Sequence, residues 1–416
     1  MKLTKLSLAA IIAVGALGTF ASATPIEEAI KGVDVSGLVR YRYYYGTEFI
    51  SSYNGVDSLV GGAGASGDKE SYNRFSASLN VLSPIADAFS AGVSVRAEGG
   101  MLENERTGGA AVNKPLSTVT GLDKAFFQYS ADGLTAKIGK FEIPTPWTES
   151  GYNGNRGNGL LALYKVSDEL TVAGAYYNQV GDTVTSGSAK LIPFTYDAAT
   201  DTVDTFDALT AGENDLFALA AIGKAGPVGL QLWAAHNAEI FNTVYGEATL
   251  NLNGIYGKAQ VNWLKLSENY GDEGGVFYGI EAGYKGKTDD TSFNAIAGYT
   301  KSDKDQSIYA LDPDNDGFIK FGKQLYYYTT NAIDTQVIFL KGGAAVDKYG
   351  VELGVGQADA GGGLEWKPLE AYLTGSYNYA KNFGFELYYS YLDLDDAEVN
   401  GKDVNHEIRF QAQYKF

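Results

Sequence analysis

The chain has 416 residues and a formal net charge of −18 at pH 7, with 50 acidic residues against 32 basic ones. A chain this acidic disfavours nucleic acid and acidic lipid as binding partners, because both would repel it. Its sequence contains no cysteine, which excludes disulfides and thiolate chemistry, and its 52 glycines and 30 tyrosines are unusual for a soluble globular protein.

The first 23 residues have the pattern of a secretory signal peptide. Two lysines precede an apolar run over residues 6–20, and residues 21–23 (Ala-Ser-Ala) form a small-residue cleavage site. We expect residues 24–416 to remain as one mature domain, with 30 basic and 50 acidic residues and a net charge of −20. A membrane-anchoring helix is the alternative, and the shortness of the apolar run disfavours it.

Beyond residue 23, the chain repeats segments of about ten residues in which apolar and polar side chains alternate, a period typical of strands with one apolar face. The clearest segments are 33–45, 71–81, 89–98, 255–265 and 349–357. Weaker candidates lie at 122–130, 134–141, 160–166, 170–178, 215–224, 228–236, 245–253, 276–285, 291–300, 334–341, 370–379 and 385–394, and the last strand covers 405–416. The count is eighteen, or sixteen if the weak segment around 334–348 is not a strand.

The connections between these segments alternate between short turns and long loops. The long ones cover 46–70, 99–121, 142–159, 179–214 and 301–333. No apolar run after residue 23 approaches the length of a spanning helix, so only a closed sheet could satisfy its backbone in a membrane. We therefore predict an all-β fold, a transmembrane antiparallel β-barrel with short periplasmic turns and long extracellular loops. A secreted soluble β-sandwich is the alternative, and the regular alternation of connections disfavours it.

Arginines occur on the polar face of strands that are neighbours in the predicted barrel. They are Arg40, Arg42, Arg74, Arg96 and Arg409. Because eighteen strands enclose an aqueous passage, this placement predicts a basic ladder on one wall of the lumen. Scattered solubilising charge is the alternative.

The loop "EIPTPWTESGYNGNRGNG" (142–159) follows the fifth predicted strand. Its place resembles that of the third long loop of general porins, which folds into the barrel and narrows the channel. Glu142 and Glu149 would then face the arginines across the constriction and set a transverse field. The overall acidity favours a weak preference for cations, which the arginines oppose.

The segment 312–323 is the one metal-like motif. Asp312, Asp314 and Asp316 occupy the first, third and fifth positions of an EF-hand loop, but Lys323 stands where the twelfth position requires glutamate. The segment is therefore either a weak Ca²⁺ site or an acidic turn. We expect no required cofactor and no enzymatic activity. The sequence has no cysteine nucleophile, and both of its histidines, His236 and His406, fall on the predicted lipid side.

The final segment "HEIRFQAQYKF" (406–416) alternates until the chain ends at Phe416. Its even-numbered residues, from Ile408 onward, are apolar and should face lipid, whereas Arg409 and its odd-numbered neighbours should face the lumen. A terminal phenylalanine after such a strand resembles the signal that the barrel-assembly machinery of bacterial outer membranes recognises. We expect this strand to pair with the first and close the barrel.

The segment "TPIEEAIKGVDVSGLVRYRY" (24–43), the many strands rich in glycine and tyrosine, and the terminal Phe416 resemble the major outer-membrane porin family of Campylobacter and its relatives. That resemblance implies an eighteen-stranded homotrimeric porin in the Gram-negative outer membrane, surrounded by lipid and lipopolysaccharide. Calcium binding has been linked to this family. We expect a water-filled channel for passive diffusion of ions and small hydrophilic solutes. The alternatives are a substrate-selective channel and a surface barrel that acts mainly as an adhesin or structural protein.

Overall fold

The computed structural model describes residues 32–46, 70–103, 105–107, 110–112, 117–181, 190–191, 194–197, 202–205, 209–210, 215–270, 272, 274–304, 310–312, 315–327, 333–361, 367–395 and 404–416. The predicted signal peptide at 1–23 and Asp314 of the acidic motif lie outside these residues.

Eighteen antiparallel strands form one sheet that closes on itself. They are β1 (Asp34–Gly46), β2 (Glu70–Ala86), β3 (Phe89–Glu103), β4 (Ser117–Ala131), β5 (Leu134–Glu142), β6 (Arg156–Lys165), β7 (Leu170–Gly181), β8 (Leu216–Ala225), β9 (Val228–Asn237), β10 (Phe241–Leu252), β11 (Ile255–Leu266), β12 (Gly274–Lys287), β13 (Thr291–Ser302), β14 (Thr335–Val346), β15 (Tyr349–Ala360), β16 (Leu369–Ala380), β17 (Phe383–Asp393) and β18 (Val404–Lys415). Each strand pairs with its neighbours in the chain, and β1 also pairs with β18.

Small elements occur in the connections between the barrel strands. In the part of the chain that the structure describes, there are three short hairpins and two 3₁₀ turns. The hairpins pair Glu105–Thr107 with Ala110–Val112, Lys190–Leu191 with Leu209–Thr210, and Phe194–Asp197 with Thr202–Thr205, and the turns are Glu268–Tyr270 and Leu325–Tyr327. Among the described residues, no helix is long and apolar enough to cross a bilayer.

The strand count of eighteen is confirmed. The segment with the weakest alternation is strand β14, which is paired along its length with β13 on one side and β15 on the other. Tight turns join strands at the periplasmic end. Between β10 and β11, for example, Asn253 and Gly254 both have positive φ values, 51° and 87°, as a two-residue hairpin turn requires.

The predicted alternation sorts side chains to the two faces of the barrel wall. Outward residues such as Leu219 and Ile338 are 66% and 63% exposed, whereas inward Asn262 is fully buried inside the barrel. An exposed apolar band with a polar inside is the reverse of a soluble protein and suits a wall in contact with lipid.

The closing seam has the predicted face assignment. Arg40 lies opposite Gln413 and Tyr41 opposite Ala412, so the even-numbered residues of β18 share the outward face of β1. The backbone of Phe416 exchanges two hydrogen bonds with Gly37, at 3.0 and 3.1 Å. The ring of Phe416 lies over Gly37 where a side chain would stand, so glycine is needed there.

Two extracellular loops fold into the barrel. The predicted one, here L3 (residues 143–155), packs Ile143 and Trp147 into an apolar cluster on the inner side of strands β5–β12. The other, here L7 (residues 303–334, described at 303–304, 310–312, 315–327 and 333–334), packs Phe321 and Leu325 against β14–β17. Gly356 on β15 leaves room for the ring of Phe321. The apolar core therefore lies between these loops and the wall, inside the barrel.

Candidate functional site

The tip of L3 is attached to the arginine wall through one aromatic side chain. The ring of Tyr152 lies between the guanidinium groups of Arg40 and Arg96, whose Cζ atoms are 4.9 and 4.2 Å from the ring centroid. Its hydroxyl donates to the carbonyl of Ala97 at 2.9 Å, and its own carbonyl accepts from Arg96. Cation–π contacts shielded from water are stabilising, so Tyr152 fixes the loop tip to β1 and β3.

Asn153 extends this contact to one of the predicted glutamates. Its side-chain oxygen accepts a hydrogen bond from Arg40 at 3.0 Å, and its amide nitrogen donates to Glu149 at 3.2 Å. The structure thus links Glu149 to Arg40 through an amide.

The other predicted glutamate, Glu142, lies at the base of L3. One of its carboxylate oxygens accepts from the backbone of Gly151 at 3.0 Å, and the other is 3.9 Å from the Arg156 guanidinium. Arg156 also makes a bidentate pair with Asp123, at 3.0 and 3.1 Å, and both side chains are almost fully buried. Asp123 is the extra residue of a β-bulge between β3 and β4, which turns it inward.

The remaining ladder arginines lie beside Arg40 and Arg96, on β1, β2 and β18. Arg42 donates to Gln411 at 2.6 Å, and Arg74 pairs with Glu98. Arg409 donates to Glu386 at 2.6 Å and lies over the ring of Tyr388. The structure therefore brings the five predicted arginines together on four neighbouring strands. Carboxylates accompany them within the barrel.

L7 contacts L3 through the acidic motif. The backbone amides of Asp312 and Asp316 donate to carbonyls of Trp147 and Thr148, at 3.0 and 3.2 Å. The carboxylate of Asp316 accepts from the amide of Ser150 at 2.9 Å. Among the described residues, no group of three or more His, Cys, Asp and Glu side chains is arranged to hold a metal ion. Calcium binding at Asp312, Asp314 and Asp316 stays a prediction.

A buried carboxylate anchors L7 to the wall. Glu370 on β16 accepts hydrogen bonds from the backbone amides of Lys323, Gln324 and Leu325, at distances from 2.7 to 3.3 Å. Ser390 donates to the same carboxylate at 2.7 Å. A carboxylate that accepts several amide bonds fixes the first turn of a short helix in place. The side chain of Lys323, the residue that breaks the EF-hand pattern, then points into the lumen toward Glu352, 3.5 Å away.

The sequence interpretation missed three parts of this site. Tyr152 and Arg156 were inside the segment 142–159, yet only its carboxylates were singled out. The inward fold of L7 was not predicted. The sequence feature that could have indicated this fold is the apolar cluster from Phe318 to Leu325, in a loop too long for a turn. The wall residues that the cluster contacts are distant in sequence, so the contact could not be predicted.

The geometry makes the lumen narrow and polar. L3 covers one side of the passage and L7 another, and charged side chains of both signs line the remaining wall. Such an arrangement can hold water and sort solutes by size and charge. The two histidines make hydrogen bonds, His236 with Asn242 at 2.9 Å and His406 with the Tyr389 hydroxyl at 2.7 Å, as well as aromatic contacts. His236 stacks on Phe217 and His406 on Tyr389.

Three of the solved structures with a similar fold come from two bacteria. Pseudomonas aeruginosa OpdQ has a TM-score of 0.67 and 13% identity, covering 93% of this chain and 99% of that one. P. aeruginosa OccK9 (OpdG) has a TM-score of 0.66, 13% identity and coverage of 93% and 99%, and Acinetobacter baumannii OccAB4 has 0.64, 12%, and 92% and 98%. At these identities, the likeness shows the fold alone.

Sequence comparison gives the family. A comparison with curated proteins finds no match. The family model described as Campylobacter major outer membrane protein matches residues 1–416, the whole chain. Together with the closed eighteen-stranded barrel, this match assigns the protein to the outer membrane of a Gram-negative bacterium as a porin-like barrel. The chain belongs to the Campylobacter major outer membrane protein family.

Proposed function

We propose that the protein is a porin that lets ions and small hydrophilic solutes diffuse passively through the outer membrane, without enzymatic activity. One observation carries the proposal: the inner wall of the closed barrel is lined by charged and polar side chains and is narrowed by L3 and L7. Polar groups on the inner face are costly unless they contact water or one another, so this lining supports a hydrated passage.

The channel has a weak preference for cations in this proposal, and two charge distributions oppose each other. The chain as a whole is strongly acidic, and its acidic surplus attracts cations to the channel mouths. At the constriction, Arg40 and Arg42 donate hydrogen bonds to the side-chain amides of Asn153 and Gln411, which carry no charge of their own. The field of these arginines lowers the cation preference that the mouths create.

The proposal extends to assembly and partners. The family resemblance supports a homotrimer in contact with outer-membrane lipid and lipopolysaccharide. The aromatic end of β18 supports recognition of Phe416 by the barrel-assembly machinery. The acidic turn at Asp312 and Asp316 supports a weak Ca²⁺ site.

Planar-bilayer recording of the purified protein tests the channel. We expect large ohmic current steps that increase in proportion to the KCl concentration. A current that saturates strongly with one solute and is negligible with others would favour the substrate-selective alternative. The absence of any conductance from correctly folded protein would favour the surface barrel and overturn the proposal.

A further inference from the structure

A cavity of about 360 Å³ lies in the periplasmic half of the lumen, directly below L7. Its polar lining comes from the inner faces of β13, β15, β16 and β17 and from L7 itself. The polar lining residues include Ser292, Asn294, Lys323, Glu352, Thr374 and Glu386. The volume is within the range of small-molecule sites in proteins.

The charges in this cavity are arranged as a pair. The ammonium group of Lys323 forms a long ion pair with Glu352, 3.5 Å between nitrogen and oxygen, and both side chains stay partly exposed, so a solute can bind alongside both groups. Lys323 also lies 4.6 Å from the ring centroid of Tyr372, and its backbone is fixed by Glu370. The positive charge therefore has a defined position although it comes from a loop.

A second observation points to a ligand. Thr374 lines the cavity and is more than nine-tenths buried, and its hydroxyl makes no hydrogen bond within the part of the chain that the structure describes. Buried hydroxyl groups are nearly always paired, so this one has bonding capacity left for a molecule that enters the cavity.

We infer that this cavity is a solute-binding subsite for small zwitterions of the α-amino acid class, an inference that rests on the proposed channel function. The carboxylate of the solute binds the Lys323 ammonium group, and the solute ammonium group binds Glu352. Thr374 donates or accepts the additional hydrogen bond. Opposite charges a few ångströms apart on the solute match the pair in the wall, whereas a simple ion satisfies only one of the two. Binding at such a point must stay weak for solutes to leave again.

The test uses single-channel recording of the whole protein in KCl, with L-glutamine added on the periplasmic side. We expect brief current blockades whose frequency saturates with L-glutamine concentration. N-acetyl-L-glutaminamide, which has a similar size and no charge, should produce no saturable effect. Lys323→Met and Glu352→Gln should each weaken the apparent affinity by about tenfold or more, because each removes a charged hydrogen-bond partner.

Lys285→Met is the matched control. Lys285 is also a lumenal lysine, but it lies against the ring of Tyr256 and does not line the cavity. The apparent affinity of this variant for L-glutamine should stay within about twofold of that of the parent protein, since no direct contact with the solute is lost. An equal loss in this variant would assign the effect to the general field of the lumen and overturn the subsite.

The experiment distinguishes a wrong subsite proposal from a wrong channel proposal. A parent protein that conducts KCl normally but shows no saturable response to L-glutamine overturns the subsite and leaves the porin intact. A parent protein without KCl conductance overturns both. The KCl conductance of each variant reports that its barrel has folded.

Discussion

The arginines of the ladder differ in what they contact, and this difference divides their roles. Arg40 and Arg96 are almost fully buried and lie against Tyr152, so they hold L3 in place. Arg74 and Arg409 keep 36% and 21% of their side chains exposed, and each is paired with a glutamate. In the proposed channel, the first two hold the loop that narrows the passage, and the other two are the ones that solutes can reach.

The clamp on L3 can be tested at Tyr152. Tyr152→Ala removes both cation–π contacts, worth about 0.5–2 kcal/mol each, and frees the loop tip. We expect a larger single-channel conductance with more current noise. Tyr152→Phe keeps the ring between Arg40 and Arg96 and loses only the hydroxyl, so its conductance should stay close to that of the parent. An alanine variant with parental conductance and noise would show that the tip does not depend on this side chain.

The buried pair at the bulge governs stability. Asp123→Ala leaves the guanidinium of Arg156 buried without its bidentate partner, which costs about 3–5 kcal/mol for a buried ion pair. Unfolding by urea from lipid vesicles should show the corresponding fall in the unfolding midpoint. The control is Asp168→Ala, which breaks an exposed pair with Lys165 and should cost about 0–1 kcal/mol. Equal midpoints for the two variants would contradict this assignment.

At the scale of elements, the strands of the barrel wall can be predicted from neighbouring residues in the sequence, whereas the positions of the inner loops cannot. Each strand has its own period of two, so the bounds of β11 or β18 follow from a dozen adjacent residues. The position of L7 depends on a glutamate on β16 and a glycine on β15, which are distant in sequence. In the sequence, nothing distinguishes Phe321 from other loop residues, and its position depends on the space that Gly356 leaves for its ring.

The anchor of L7 makes a prediction of its own. Glu370→Gln is nearly isosteric, but its amide group would face backbone amides that also donate hydrogen bonds. L7 should therefore leave the wall, and the single-channel conductance should rise. Glu281→Gln is the control, because that lumenal glutamate accepts hydrogen bonds from the side chains of Lys341 and Tyr256, which are both on barrel strands. Parental conductance in Glu370→Gln would mean that the apolar contacts of L7 suffice.

The closing seam between β1 and β18 allows a second prediction, which concerns the need for glycine at position 37. Gly37→Ala places a methyl group where the ring of Phe416 lies, so pairing of β1 with β18 should be disturbed. We expect a lower yield of folded barrel, measured as the fraction that shifts mobility on heating in a denaturing gel. Gly375→Ala is the control on the same outward face, since its nearest atom is 4.0 Å away. Similar yields for both variants would show that the seam tolerates a side chain at Gly37.

At the scale of the whole molecule, the alternating pattern predicted the closed barrel, its strand count and the ladder wall. Those features follow from the lipid and water on the two sides of every strand, which act on each residue independently. The constriction depends on which loop residues meet which wall residues. Glu149 lies in the predicted loop and Glu142 at the end of β5 that leads into it, but their contacts with Asn153 and Arg156 could not be derived from spacing.

Ion selectivity is a property of the whole molecule, because the charges at the channel mouths and those at the constriction both contribute to it. In a KCl gradient, we expect a reversal potential that indicates weak cation preference. Arg42→Gln should increase this preference, because it removes a positive charge from the lumen wall, where Arg42 donates hydrogen bonds to an amide and a hydroxyl group. Glu149→Gln should lower it. Lys165→Gln, at an exposed periplasmic turn, is the control and should change the reversal potential least. If Arg42→Gln and Glu149→Gln both leave the reversal potential unchanged, the narrowest point of the channel lies away from L3 and the ladder, and the acidic mouths alone set the preference.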